Sequence, residues 1–398
     1  MTDNGKEIDR DYPHSEVVAQ MIVMRQMKGF CRLILAIVIG AGSILPLSGM
    51  SVTRRIVDSM TKDPVPYCNI VIVSNPAQGT ISNVQGEFIM NDLSPTDSLD
   101  ISQIGYNSVR VSVSDMPDII FLEPRVYELD AATALSLDFP TFIPKVRERI
   151  NQLFMPNYPI LEGVFRKQVV ENQEYVFMGE CAIAVRNPKP FSLDPRVSIL
   201  RAAVTVNDAN FAGHGVKIKL TLSSNLILYP YFFIFEEPAS DDMRWEFKEI
   251  KGADNGESEV YVLSYEYKEN GRSKERGLVY VCAEDLGILR IDRETTTSGQ
   301  KVRDLETSPI KYVSTYQYQR LPGTEKYILH YSRTQFSFSL SSNGVNNDYT
   351  LTTDFLVTDT KSNQKNIRAR SDRDPFEVEK NSIIVEQSDL RVIPPDYK

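Results

Sequence analysis

The sequence predicts a mainly β protein: an N-terminal antiparallel β-sandwich, then an α+β domain with a helix on a long antiparallel sheet that could curl into a half-barrel. Three observations carry this. Short strand-like runs alternate with turn chemistry from residue 52 to residue 122. One amphipathic stretch, residues 141–154, has helical spacing. Long β-rich runs separated by Asn-, Gly-, Asp- and Ser-rich turns fill most of the remainder.

The 398 residues are 42% hydrophobic and 24% charged, with a net charge of -9. That composition is too apolar for disorder and allows at least two domains. The acidity is spread along the chain, and no basic stripe with interleaved aromatics suggests a nucleic-acid partner.

Residues 1–50 read as an N-terminal extension and a signal peptide. Residues 33–47 form an apolar run, short of the roughly 20 residues that a membrane-spanning helix needs. Arg25, Lys28 and Arg32 precede the run and Ser48 and Gly49 follow it, as in a secretory signal with cleavage near residues 49–51. Asp3, Glu7, Asp9, Asp11 and Glu16 crowd the residues before Met24, so Met24 or Met27 is the expected true start. The alternative is an uncleaved anchor, and membrane contact is expected only through this segment. Either way the bulk of the chain is expected to be exported, to the periplasm or the outer-membrane surface.

Residues 51–127 supply the sandwich. Residues 52–57 are rich in β-branched side chains, and 67–73 read as a strand buried on both faces. Asn83-Val84-Gln85-Gly86 makes a tight turn in which Gly86 can take a positive φ. Residues 87–90, 99–102, 109–113 and 119–122 complete about seven short strands. Phe88 and Tyr106 are the expected large core residues, and a buried Tyr hydroxyl needs a partner.

The order Pro64-Val65-Pro66-Tyr67-Cys68-Asn69-Ile70, Gly79-Thr80-Ile81-Ser82-Asn83, Gly86-Glu87-Phe88 and Ile104-Gly105-Tyr106 resembles the carboxypeptidase regulatory-like domain. The resemblance implies an immunoglobulin- or transthyretin-like sandwich of the kind found in envelope proteins of Bacteroidetes. Cys68 departs from the small Ala-type residue usual there. The following region, including Leu161-Glu162-Gly163-Val164-Phe165-Arg166 and Gly277-Leu278-Val279-Tyr280-Val281, looks like the uncharacterised domain that accompanies this module.

Residues 128–140 are a linker and 141–366 the α+β domain. Phe142, Ile143, Val146, Ile150, Leu153 and Phe154 give the helix its apolar side. Strands are expected at 161–170, 175–185, 216–222, 226–235, 260–267, 278–282, 288–293, 310–319, 327–338 and 349–358, with 196–206 as a second short helix. Residues 367–398 form a charged tail.

No reactive constellation stands out. His14, His214 and His330 lie in no zinc-ligand spacing, so the non-catalytic accessory role is the one implied. Cys31, Cys68, Cys181 and Cys282 lack C-x-x-C spacing and read as small buried residues. Glu236-Glu237 and Asp241-Asp242 are adjacent loop carboxylates, poor material for acid–base catalysis. No cofactor or metal is expected.

The candidate site is an apolar groove lined by Tyr229, Tyr231, Phe233 and Phe235, with Trp245 close by. The same aromatics could instead be a central strand covered by the helix. The function expected is a non-enzymatic envelope role in interaction or scaffolding. The alternatives are a periplasmic carrier or chaperone for a hydrophobic ligand, and a hydrolase with an unrecognised site. The expected partner is another envelope protein or a hydrophobic ligand.

Overall fold

Turn chemistry and alternating burial build the N-terminal module. The computed structural model describes residues 50–125, 138–154, 160–186, 196–207, 235, 243–252, 258–269, 273–299, 301–302, 305–321, 323–342 and 344–361. Strands β1 (Met50–Asp58), β4 (Glu87–Leu93) and β7 (Ile119–Leu122) form one sheet, ordered β4-β1-β7. Strands β2 (Asn69–Ile72), β3 (Asn75–Ile81), β5 (Ser98–Ser102) and β6 (Val109–Ser112) form the other, ordered β3-β2-β5-β6. One cluster lies between them, including Ile56, Cys68, Ile70, Phe88, Leu99 and Ile120.

All pairs are antiparallel except β1 with β7, which run parallel from Arg55–Ile119 to Asp58–Leu122. Gly86 takes φ +74°, and a Cβ there would meet the Ile56 carbonyl oxygen at 2.2 Å. The Tyr106 hydroxyl finds its partner in Asp58 Oδ2 at 3.1 Å. Strand β2 is shorter and less buried than 67–73 suggests: Ile70 and Ile72 face the core, while Asn69 and Val71 are half-buried.

Helix α1 (Phe139–Leu153) buries Ile143, Val146, Ile150 and Leu153, one stripe at spacings of three and four. The Phe154 backbone N–H, bonded to the Ile150 carbonyl at 3.0 Å, ends it. Then come β8 (Ile160–Glu171), β9 (Glu174–Arg186), β10 (Arg196–Asn207), β11 (Arg244–Gly252), β12 (Glu259–Glu269), β13 (Ser273–Cys282) and β14 (Ile288–Thr297). The short β15 (Lys301–Val302) and β16 (Leu305–Thr307) precede β17 (Ile310–Arg320), β18 (Tyr327–Ser342) and β19 (Val345–Lys361).

These make one 12-stranded sheet with the path β10-β9-β8-β19-β18-β17-β14-β13-β12-β11, and β16 joins β15 to β18. Every pair is antiparallel. Among the described residues β19 is the last strand and β8 the first of this sheet, and the two lie side by side in its middle. The fold is thus mainly β with a helix on an antiparallel sheet, as expected.

Residues 196–206 are not a helix but most of strand β10, which pairs with β9. Ladder hydrogen bonds to β9 override the mixed local propensity of Arg-Val-Ser-Ile-Leu-Arg-Ala-Ala. Strand β11 was not expected. Its Arg244-Trp245-Glu246-Phe247-Lys248 alternates with period two, a signal masked by three charges in five residues. The expected strand 216–222 and the charged tail fall outside the described residues. So do 226–234 of the expected strand 226–235; Phe235 itself has helical backbone.

Candidate functional site

Of the five expected site residues, Tyr229, Tyr231 and Phe233 lie outside the described residues. Phe235 and Trp245 are brought together: Phe235 is buried and stacks on Trp245 with ring centroids 5.7 Å apart and planes at 21°. Trp245 in turn meets the Tyr265 ring at 5.6 Å. The three belong to the cluster that includes α1, with Leu263, Val279, Ile291, Tyr316 and Phe355 from the same sheet face. Among the described residues the stack is part of a packed core, and the indole Nε1 is buried with no hydrogen-bond partner.

The stack ends in polar groups. The Tyr265 hydroxyl donates to Glu275 Oε1 at 3.1 Å, while Arg293 and the Thr295 hydroxyl donate to Glu275 Oε2 at 2.5 and 3.2 Å. Burial, reinforced by the Glu275 charge, pushes the Tyr265 hydroxyl well above its usual pKa. Burial works against the Arg293 charge, but the bond to Glu275 outweighs it and the guanidinium stays protonated.

The opposite face of the sheet carries charge. Register places Asp292, Thr315, Arg333, Asp354, Arg166 and Glu180 directly side by side across β14, β17, β18, β19, β8 and β9. All but Asp292 are buried. Thr315 donates to Asp292 Oδ1 at 2.9 Å, Arg333 Nη1 to Asp354 Oδ1 at 3.2 Å, and Arg166 Nε to Glu180 Oε1 at 2.7 Å. The Tyr331 hydroxyl adds a 2.6 Å bond to Asp354, and Arg290 Nε a 2.9 Å bond to Asp292. Each charge in this ladder therefore has an opposite or hydrogen-bonding neighbour, as burial requires.

The sandwich packs on this charged face. Tyr67, at φ +60°, accepts a 3.1 Å bond on its carbonyl from Gln317 Nε2 and sets its ring 5.7 Å from Tyr331 and 5.6 Å from the Arg290 guanidinium. Ile81 packs on Tyr331 and Leu356, and Ile104 on Val260, Val262 and Tyr280. The Gly105 N–H donates to the Gly252 carbonyl at 3.0 Å.

Beside this contact lies a groove of 820 Å³ that runs across β11, β12, β13, β14 and β17. One wall is the row Glu246, Ser264, Leu278, Asp292 and Thr315, and the other is Arg244, Glu266, Arg276, Glu294 and Val313. The row between them includes Trp245 and Tyr265, whose side chains alternate to the helix face and leave backbone as the floor. Arg276 pairs with Glu294 at 2.9 Å, and Lys248 with Glu246 at 2.5 Å.

Comparison with known proteins gives little. No family model matches the sequence, and no curated protein matches it. Two solved structures align with just over half of the chain. The likeness is to LolA-superfamily and MucB-type structures. A LolA-superfamily protein of Nitrosomonas europaea shares 10% identity at a TM-score of 0.21, over 55% of this chain and 94% of that one. The MucA/MucB complex of Pseudomonas aeruginosa gives 8% identity at 0.18, over 55% and 93%. Likenesses of this size carry neither a fold assignment nor a function to this chain.

Reactive groups are quiet among the described residues. Cys68, Cys181 and Cys282 are unbridged and buried, and burial pushes the Cys68 thiol up to about 12. His330 lies in β18 where the register steps from Gln317–Tyr331 to Tyr318–Leu329, leaving it unopposed. Both its nitrogens are buried without a partner, and burial lowers its pKa to about 4. No group of three His, Cys, Asp or Glu side chains among the described residues is placed to hold a metal ion. No helix among them is long and apolar enough to cross a membrane; residues 33–47 lie outside this set.

Proposed function

We propose that this protein is a non-enzymatic, exported protein of the cell envelope with an interaction or scaffolding role, its sandwich being a carboxypeptidase regulatory-like domain. The observation that carries the reading is the docking of the sandwich on the large sheet through Tyr67, Gln317 and Arg290. This fixes two β modules into one body of extended surface, while the buried thiol of Cys68 and the partnerless imidazole of His330 supply no activated nucleophile. The test is affinity capture from envelope extracts with the full chain as bait. The reading expects a partner enriched over an unrelated β-sandwich bait. Equal recovery by both baits, or no partner under conditions that recover other complexes, contradicts it.

A second reading is a carrier for an apolar ligand, for which the Phe235–Trp245–Tyr265 stack, packed in the same cluster as α1, supplies aromatic surface. Native mass spectrometry of the protein purified from its own envelope tests this. A bound acyl lipid, lost in Trp245→Ala, supports the carrier. Lipid-free protein removes it.

A further inference from the structure

The groove beside the sandwich has a regularity that the function proposed above does not use. It runs perpendicular to five neighbouring strands, so its length is four strand spacings, roughly 19 Å, and its walls stand two residues apart, roughly 7 Å. Each strand contributes one side chain to each wall. The wall side chains, polar except for Leu278 and Val313, therefore repeat at roughly 4.8 Å, about the advance of one sugar along an extended glycan.

The chemistry of the walls narrows the occupant. In the second row Arg244, Glu266, Arg276 and Glu294 alternate in sign, and across the groove Glu246 and Asp292 are balanced by Lys248 and Arg290. Donors and acceptors are thus interspersed without a strong net field, which suits a neutral ligand better than an anionic polymer. Ser264 adds a hydroxyl, and Leu278 and Val313 add the small apolar contacts that ring faces and acetamido methyls require. An extended peptide fits poorly, because strand addition needs free backbone groups and the floor strands already spend theirs on one another.

The geometry points to a binding site for a linear, neutral oligosaccharide laid across β11 to β17, with Arg276, Glu266 and Asp292 as its main hydrogen-bonding groups. The site is separate from the helix-face aromatics and does not depend on the sandwich having a protein partner.

Calorimetric titration of the full chain with linear β-1,4-linked N-acetylglucosamine oligomers, from the monomer to the hexamer, tests it. Affinity is expected to rise with length and level off near about five sugars, one per strand. Arg276→Ala, at an exposed position, is expected to weaken the pentamer about tenfold by removing a charge-assisted donor. Lys301→Ala, outside the groove, is expected to leave binding unchanged and serves as the folding-matched control. No heat at millimolar oligomer, length-independent binding, or binding untouched by Arg276→Ala overturns the site. None of these results bears on capture of an envelope protein, so the two readings fail separately.

Discussion

The two faces of the large sheet are built from the same strands and held by different physics. On the helix face, Leu263, Val279, Ile291, Tyr316 and Phe355 pack with α1 in one apolar cluster. On the sandwich face, Arg333, Asp354, Arg166 and Glu180 are equally buried but stabilised in pairs. Apolar burial is non-directional and roughly additive by area, so losses there scale with the volume removed. A buried ion pair contributes little over an apolar pair of the same shape, yet losing one partner strands the other in a dry site. The helix face should thus respond gradually to substitution and the sandwich face abruptly.

The largest effect is expected for Arg166→Met, which leaves Glu180 buried and alone. It should cost about 4 kcal/mol in denaturant unfolding, most of it recovered when Glu180→Leu is added. If the double variant is as unstable as the single one, the ladder is not a set of replaceable pairs. Leu263→Ala on the helix face should cost about 3 kcal/mol, and no second change of polarity should restore it.

His330 belongs to neither pattern, being polar, buried and without a partner. Its pKa is about 4 when folded, against 6.5 ordinarily, so between those values the unfolded chain binds more protons than the native one. Stability is therefore complete above that window and falls as pH drops through it, by about 3 kcal/mol. His330→Leu should remove this part of the pH dependence, seen as a flatter profile of midpoint against pH. The smallest effect is expected for the exposed Lys301–Glu306 pair, where Lys301→Ala should change stability by less than about 1 kcal/mol.

Local signals were the legible ones. The turn at Gly86, the core position of Phe88 and the stripe Ile143–Val146–Ile150–Leu153 all follow from neighbours within a few residues. The helix expected at 196–206 failed because its partner, β9, is a long-range choice that local propensity does not encode. The ladder was illegible for the same reason. Arg166 meets Asp354 only through the β8–β19 pairing; in sequence one is half of the basic pair Arg166-Lys167 and the other a lone acid after Thr352-Thr353, and neither context names a partner. Of the expected groove, Phe235 and Trp245 are described and stack in the helix-face cluster, while Tyr229, Tyr231 and Phe233 lie outside the described residues. The polar groove needs five strands in register before it exists, so no local window shows it.

The central claim is that the sandwich and the charged face form one mechanical body, anchored at Tyr67. Hydrogen–deuterium exchange of Tyr67→Ala, compared with the unsubstituted protein, tests it most directly. The account predicts faster exchange in β2 and, at the same time, in β17 and β18 around Gln317 and Tyr331, with the amides beside α1 unchanged. Faster exchange confined to the sandwich, with β17 and β18 protected as before, would contradict it.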